Sequence, residues 1–164
     1  MTIACHPVDA SFFDAAPMRF DDTVELDARP TDVFAILLDA DTWPKWFRGM
    51  RKATWTSNEP HGVGSTRTVS VGLLTVEERF FRWEEGRRFS FYLTGQSMSV
   101  AHAFAEDYLL EELAPKKTRF TFTVALEPSL AVKLGGPMGR AFFNSTVKGA
   151  CEGLQSYLLK AKTP

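Results

Sequence analysis

No stretch of this chain is apolar for long enough to cross a bilayer: no uncharged apolar run approaches the ~18 residues such a helix needs. Residues 1–20 have no basic start and no long apolar centre, so they do not read as a secretory leader, and the expected compartment is the cytoplasm. Cysteine is scarce, with Cys5 and Cys151 alone, and in a reducing compartment both are expected as free thiols. Histidine is sparse and scattered (His6, His61, His102), and no cysteine pair has metal-ligand spacing, so neither a metal nor a cofactor is expected. Lysine and arginine never gather in a run and the net charge is −1, which argues against nucleic acid as a partner and against a bulk attraction to anionic membrane. The chain also lacks Gly-x-Ser-x-Gly, a phosphate-cradling glycine loop and His-Glu-x-x-His. Any catalysis here therefore relies on acid–base groups rather than a motif-defined nucleophile or metal.

What the chain does have is phenylalanine, 14 of them in 164 residues, within an aromatic share of 13%. Large rings with few rotors suit a rigid core or a greasy pocket, and the composition fits both. A chain of this length is most simply one domain, burying about two-thirds of its unfolded surface. The longest periodic stretch is the last, residues 129–160. Phe143, Val147, Ala150, Leu154, Tyr157 and Ala161 recur at steps of four and three, one stripe of a helix. Met138, Phe142, Ser145 and Gly149 form a weaker set on another side, and Gly135-Gly136-Pro137 predicts a kink near the helix start. Such a helix needs a surface to cover its stripe.

The preceding residues supply one. Residues 1–19 hold Pro7 and Pro17 and no sustained period, and read as an irregular extension with Phe12 and Phe13 available to tuck against the body. Phe20, Asp22, Val24, Leu26 and Ala28 alternate with polar neighbours as a half-buried strand does. Pro30-Thr31-Asp32 opens a short helix, with Thr or Asp available as a cap, and Trp43-Pro44-Lys45-Trp46-Phe47 forms a second helical turn. Six strands follow at about 50–57, 63–71, 74–83, 89–93, 98–113 and 118–126, separated by short Gly, Pro and Asn turns. Short turns force antiparallel neighbours. The expectation is an α+β domain of order β-α-α-β-β-β-β-β-β-α, a seven-stranded antiparallel sheet curved around the long C-terminal helix.

The order of elements and several local strings resemble the START-like, helix-grip (SRPBCC) superfamily, and within it the polyketide cyclase/dehydrase-type branch. The strings are Ala28–Leu37, Trp43-Pro44-Lys45-Trp46, Gly62–Arg67, Arg87-Arg88-Phe89-Ser90-Phe91 and Lys117–Phe122, so the likeness spans about residues 20–164 as one START-like domain and leaves 1–19 outside. It implies a helix-grip fold with a cavity between sheet and terminal helix, holding a small hydrophobic molecule, lipid-like or aromatic and polyketide-like. It implies nothing firmer about chemistry: cyclase or dehydratase activity, a non-catalytic carrier or sensor, and a co-chaperone-like interaction module with a filled core are all members' roles. No integral membrane contact is expected, and the oligomeric state is not fixed by the sequence.

Candidate residues follow from strand parity. Ser65 and Arg67 share a strand face, and in cyclases of the resembling branch such a pair steadies an enolate-type oxygen; alternatively Arg67 points outward to a strand neighbour. Arg79 and Phe81 share a face with Glu77 and Trp83, against a rival face of Val76, Glu78, Phe80 and Arg82 that is nearly as apolar. Phe120, Phe122, Val124 and Leu126 point inward. For the strand before them, a plain two-residue turn at Pro115-Lys116 puts Asp107 and Leu109 inside and pairs Glu112 with Arg119, whereas a bulge puts His102, Glu106 and Tyr108 inside. Arg67, Glu106 and Tyr108 are the candidate catalytic groups. Phe34, Trp46, Ser65, Arg79, Phe81, Phe91, Phe104, Phe122, Met138 and Phe142 are the candidate ligand contacts.

Overall fold

The structure is a computed structural model describing residues 2–161. Seven strands form one antiparallel sheet: β2 (Met18–Leu26), β3 (Met50–Trp55), β4 (Thr66–Val71), β5 (Leu74–Glu84), β6 (Arg88–Gln96), β7 (Ala101–Ala114) and β8 (Lys117–Pro128). Their spatial order is β2-β8-β7-β6-β5-β4-β3, so after the β2–β8 pair every neighbour is a sequence neighbour, joined by a short turn except for the loop 56–65 between β3 and β4. Two short helices, α2 (Pro30–Leu38) and α3 (Trp43–Trp46), connect the outermost strands, and a long helix, α5 (Gly136–Ala161), lies against the concave face. This is the expected α+β helix-grip architecture.

Each element has a local cause. Pro30 occupies the first turn of α2, where its missing N–H is not needed. Neither Thr31 nor Asp32 caps that turn; Asp32 instead takes a two-pronged bond from Arg29 at 2.9 and 3.0 Å. At the other end the indole N–H groups of Trp43 and Trp55 donate to the carbonyls of Leu37 and Leu38, each at 2.9 Å. The two tryptophans thereby satisfy helix-end acceptors while their rings enter the core.

The terminal segment differs from one kinked helix. Ser129 caps a separate five-residue helix, α4 (Leu130–Leu134), and α5 restarts at Gly136, whose φ of +51° suits glycine. The buried residues of α5 are Phe143, Val147, Ala150, Cys151, Leu154 and Leu158; Tyr157 is only partly covered and Ala161 is exposed. The stripe thus drifts by one position over its last turns, as a 3.6-residue helix does against a strict heptad. Burying each large member contributes roughly 1.5–3 kcal/mol. Gly153 lets α3 approach: a Cβ there would meet the Trp46 carbonyl oxygen.

Residues 2–19 carry more order than their prolines suggest. Ile3–Ala4 (β1) pairs antiparallel with the end of β6, and Phe12–Ala15 forms a single turn, α1. Phe13 is buried against Ala105 and Ala125, with Phe81 and Tyr92 around it. The small alanines make a seat for that ring on the convex face of the sheet. Cys5 and Cys151 are both buried free thiols.

Candidate functional site

The concave face gathers a ring-lined core, and a charged group stands in its middle. In β4 the inward residues are Arg67 and Val69, and Arg67 is 1% exposed. The two-residue turn at Gly72-Leu73 sets Val71 opposite Leu74, which carries Arg67 directly opposite Glu78 of β5. Arg67 Nε donates to Glu78 Oε2 at 2.6 Å, with both side chains almost fully buried. The guanidinium carbon lies 4.4 Å from the Trp43 ring centre, 5.3 Å from Trp55, 5.4 Å from Phe80 and 5.5 Å from Phe91. Four aromatic walls compensate part of the lost hydration. They supply no acceptor, and both Nη1 and Nη2 are buried without a hydrogen bond. Trp46 Nε1, in the ring beside Trp43, is likewise a buried donor without an acceptor.

Two more polar groups face inward from β7. The Pro115-Lys116 turn is followed at once by a register shift between Glu112 and Ala114, so Glu111, not Glu112, sits opposite Arg119, and Leu110, Tyr108 and Glu106 oppose Phe120, Phe122 and Val124. The bulged register therefore holds for Glu106 and Tyr108. A second shift, between Ala101 and Ala103, leaves His102 exposed on the outside beside His6, so His102 is not part of the site. Tyr108, 1% exposed, stacks on Phe122 and Phe89 and donates to Glu106 Oε2 at 2.6 Å. Burial pushes the Glu106 carboxyl up to about 8, and the charge on Glu78 adds to the shift; the Tyr108 bond and Arg67 pull the other way without cancelling it. Burial also raises Glu78 against the opposing pull of Arg67, and holds the Tyr108 phenol well above its ordinary range, with Glu106 adding to that. Near neutrality the cluster is thus a protonated Glu106–Tyr108 pair next to an Arg67–Glu78 ion pair.

The apolar candidates divide. Phe34, Trp46, Phe91, Phe104 and Phe122 are all buried in the core around this cluster. Ser65 is buried too, but its Oγ closes the preceding turn by accepting from the Gly62 N–H at 2.9 Å. Arg79 is exposed on the convex face. Phe81 also faces outward, onto Phe13 and Tyr92: Val76, Glu78 and Phe80 point in, so alternation sets Arg79 and Phe81 out, and a bulge between Phe80 and Arg82 then turns Trp83 inward without them. Met138 and Phe142 are 81% and 66% exposed on the outer side of α5. Glu78, Trp43 and Trp55 are the members that parity reasoning left out.

Asp107, the alternative inward residue, lies on the convex face. There it accepts from Arg88 at 2.9 and 3.0 Å, from Ser90 and from Arg82. Two clefts open near the core. One, at the foot of α5, is lined by Glu25, Leu26, Lys117, Gln155 and Leu158. The other, about 640 Å³, is bounded by Leu38, Glu59, Pro60, His61, Trp83 and Glu85. His61 stacks on Trp55 at 3.9 Å, and Trp55 is one of the walls around Arg67, so two rings separate this cleft from the buried guanidinium. Among the described residues no group of three His, Cys, Asp or Glu is placed to hold a metal, and no helix is long and apolar enough to cross a membrane.

The sequence family described as polyketide cyclase / dehydrase and lipid transport matches residues 17–159. An uncharacterised protein of Mycobacterium tuberculosis is 39% identical over 140 residues, 85% of this chain and 80% of the relative, and one of Mycobacterium bovis matches equally. Among solved structures, a START superfamily protein from Mycobacterium smegmatis superposes with a TM-score of 0.75 at 17% identity, covering 88% of this chain and 99% of that one. The di-domain ARO/CYC protein BexL from the BE-7585A biosynthetic pathway superposes with a TM-score of 0.67 at 13% identity, over 90% of this chain and 48% of that one. At these identities the structural likeness speaks to the fold.

Proposed function

We propose that this chain, which belongs to the polyketide cyclase / dehydrase and lipid transport family, binds a small apolar molecule bearing a neutral carbonyl or hydroxyl oxygen between its sheet and α5. The observation that carries this reading is the pair of buried Arg67 Nη groups with no acceptor. An unmet buried donor costs about 1–3 kcal/mol, and a ligand oxygen placed there recovers it. A neutral oxygen suits the charge count: Glu78 already balances Arg67, and a protonated Glu106 adds no charge. The aromatic rings around Arg67 supply contact surface for an apolar body. The cleft at His61 and Trp83 is the access route, opened by displacing His61 and Trp55. With Glu106 pushed up to about 8 on the same face as Arg67, the site is also equipped to enolise a bound carbonyl: the ionised Glu106 carboxylate takes the α-proton while the Arg67 guanidinium holds the enolate oxygen, the step that a cyclase or dehydratase needs.

A second reading has its own support. No member of the Arg67 cluster lines either cleft, and the core rings pack closely, which favours a filled-core interaction module. Native mass spectrometry of the protein as purified separates the two. The expected result is a co-purifying apolar molecule of low mass that is lost in Arg67→Met. A clean apo mass for the native chain, with no uptake of added aromatic ketones, rules out the ligand reading and leaves the filled core.

A further inference from the structure

The exposed apolar residues of this molecule are not scattered. Leu130, Leu134, Met138 and Phe142, at steps of four along α4 and α5, are 68%, 79%, 81% and 66% exposed. Two sheet turns meet them at the same end of the fold. The Ser97 N–H donates to the Thr75 carbonyl at 2.8 Å and Ser97 Oγ accepts from the Thr75 N–H at 2.9 Å, joining the β4–β5 turn to the β6–β7 turn. The β6–β7 turn in turn holds the cap of α4: the Ser129 N–H donates to the Val100 carbonyl at 2.9 Å, and Ser129 Oγ to the Ser99 carbonyl at 2.8 Å. The tips of those two turns are Leu73, 86% exposed, and Met98, 50% exposed. Six large apolar side chains from three separate segments therefore crown one end of the domain.

Charge distinguishes this end. Between Glu127 and Glu152 the chain carries Lys133, Arg140 and Lys148 and no carboxylate, although its net charge is −1. The two turns, 72–75 and 97–100, contain no acidic residue either, and Arg51 is held against the first of them by a bond to the Gly72 carbonyl at 3.2 Å. Positive charge is thus concentrated beside the apolar crown while the rest of the molecule carries the negative excess. Exposed apolar turn tips flanked by cations match a flat surface that is apolar inside and anionic at its face.

We infer that this end docks on an anionic phospholipid bilayer, with Leu73, Met98 and the α4–α5 side chains entering the headgroup boundary and Lys133 and Arg140 meeting lipid phosphates. The inference stands apart from the ligand reading, because none of these residues touches the Arg67 cluster. Flotation of the full chain with vesicles tests it. Vesicles of phosphatidylcholine containing phosphatidylglycerol should carry the protein, more weakly as salt rises, and phosphatidylcholine alone should carry far less. Leu134→Asp with Phe142→Asp should weaken binding about a hundredfold or more, and Lys133→Ala with Arg140→Ala by roughly tenfold, with unchanged circular dichroism because all four side chains are exposed. Absence of the protein from phosphatidylglycerol vesicles overturns the inference, as does binding that neither double variant changes. A dimer in light scattering that Leu134→Asp with Phe142→Asp converts to monomer also overturns it, by giving the surface to a second copy of the chain.

Discussion

Raising the pH from about 5 to about 9 should destabilise this protein, and Glu106→Gln should remove most of that dependence. The Glu106 carboxyl ordinarily titrates near 4.5 and is pushed up to about 8 in the folded chain. Between those values the native state holds a proton that the unfolded chain has released, so stability is greatest at the acid end and falls as pH rises, levelling off above about 8. The full separation corresponds to about 5 kcal/mol at 1.36 kcal/mol per unit. Glu106 is partly exposed, and solvent screening brings the expected loss to about 2–3 kcal/mol. Glu78 is raised as well and acts with the same sign. The other shifted groups lie outside this window. Asp32 and Glu25, lowered by their bonds to Arg29 and Lys117, act only below about pH 4.5, while the Tyr108 phenol and the Cys151 thiol, the latter pushed up to about 12, act only above about pH 9. Urea denaturation at a series of pH values measures the slope. In Glu106→Gln the amide oxygen still accepts from Tyr108 and mimics the protonated acid, so the curve should flatten and rise above that of the native chain at high pH. Identical slopes in the two proteins, or stability that increases from pH 5 to 8, would refute the assignment of a protonated, half-buried Glu106.

Two further substitutions probe the framework. Arg67→Met leaves Glu78 buried without its counter-ion and should cost about 3–5 kcal/mol, most of it recovered by adding Glu78→Leu; urea denaturation of both single variants and the double variant reads the coupling, and additive effects would mean that the 2.6 Å pair is not formed. Gly153→Ala should lower stability by about 1–3 kcal/mol despite the better helix propensity of alanine, because its Cβ meets the backbone carbonyl of Trp46, which cannot rotate away as a side chain would; a melting temperature that stays level or rises would mean that α3 sits farther from α5.

The fold was legible because its signals are periodic and redundant. Phe120, Phe122, Val124 and Leu126 alternate without interruption, and all four are buried as that alternation requires. The site was legible only where parity is unbroken. Arg67 opposite Glu78 follows from the Gly72-Leu73 turn by counting outward from Val71 and Leu74, so this pair was available from turn chemistry alone. Arg79 and Phe81 were grouped with Trp83, but the bulge between Phe80 and Arg82 turns Trp83 inward and leaves those two on the outer face, and the apolar content of both faces conceals it. Glu106 and Tyr108 depended in the same way on the shift beside the Pro115-Lys116 turn, which no residue type in that strand announces. Met138 and Phe142 have core-like chemistry but point to solvent from the outer side of α5, while the neighbouring Phe143 takes the sheet contact with Phe20 and Phe104.

The position of the buried charges bears on function independently of any likeness. Removing Arg67 and Glu78 from water costs several kcal/mol per ion, and their attraction at 2.6 Å repays it fully only when the remaining hydrogen-bonding capacity is met. Here it is not met: both Nη groups face rings, and Glu106 and Tyr108 must stay protonated beside them. Apolar side chains of similar volume would make this core more stable. On the convex face the contrast is plain, for Asp107 with Arg82, Arg88 and Ser90 has its bonds satisfied and is accounted for as structure. The same strand, β7, carries both arrangements on alternate residues. One is complete in itself, whereas the other keeps donors open in the driest part of the protein. A charged cluster that weakens the core and leaves its hydrogen bonds unmade is accounted for when a ligand oxygen makes them.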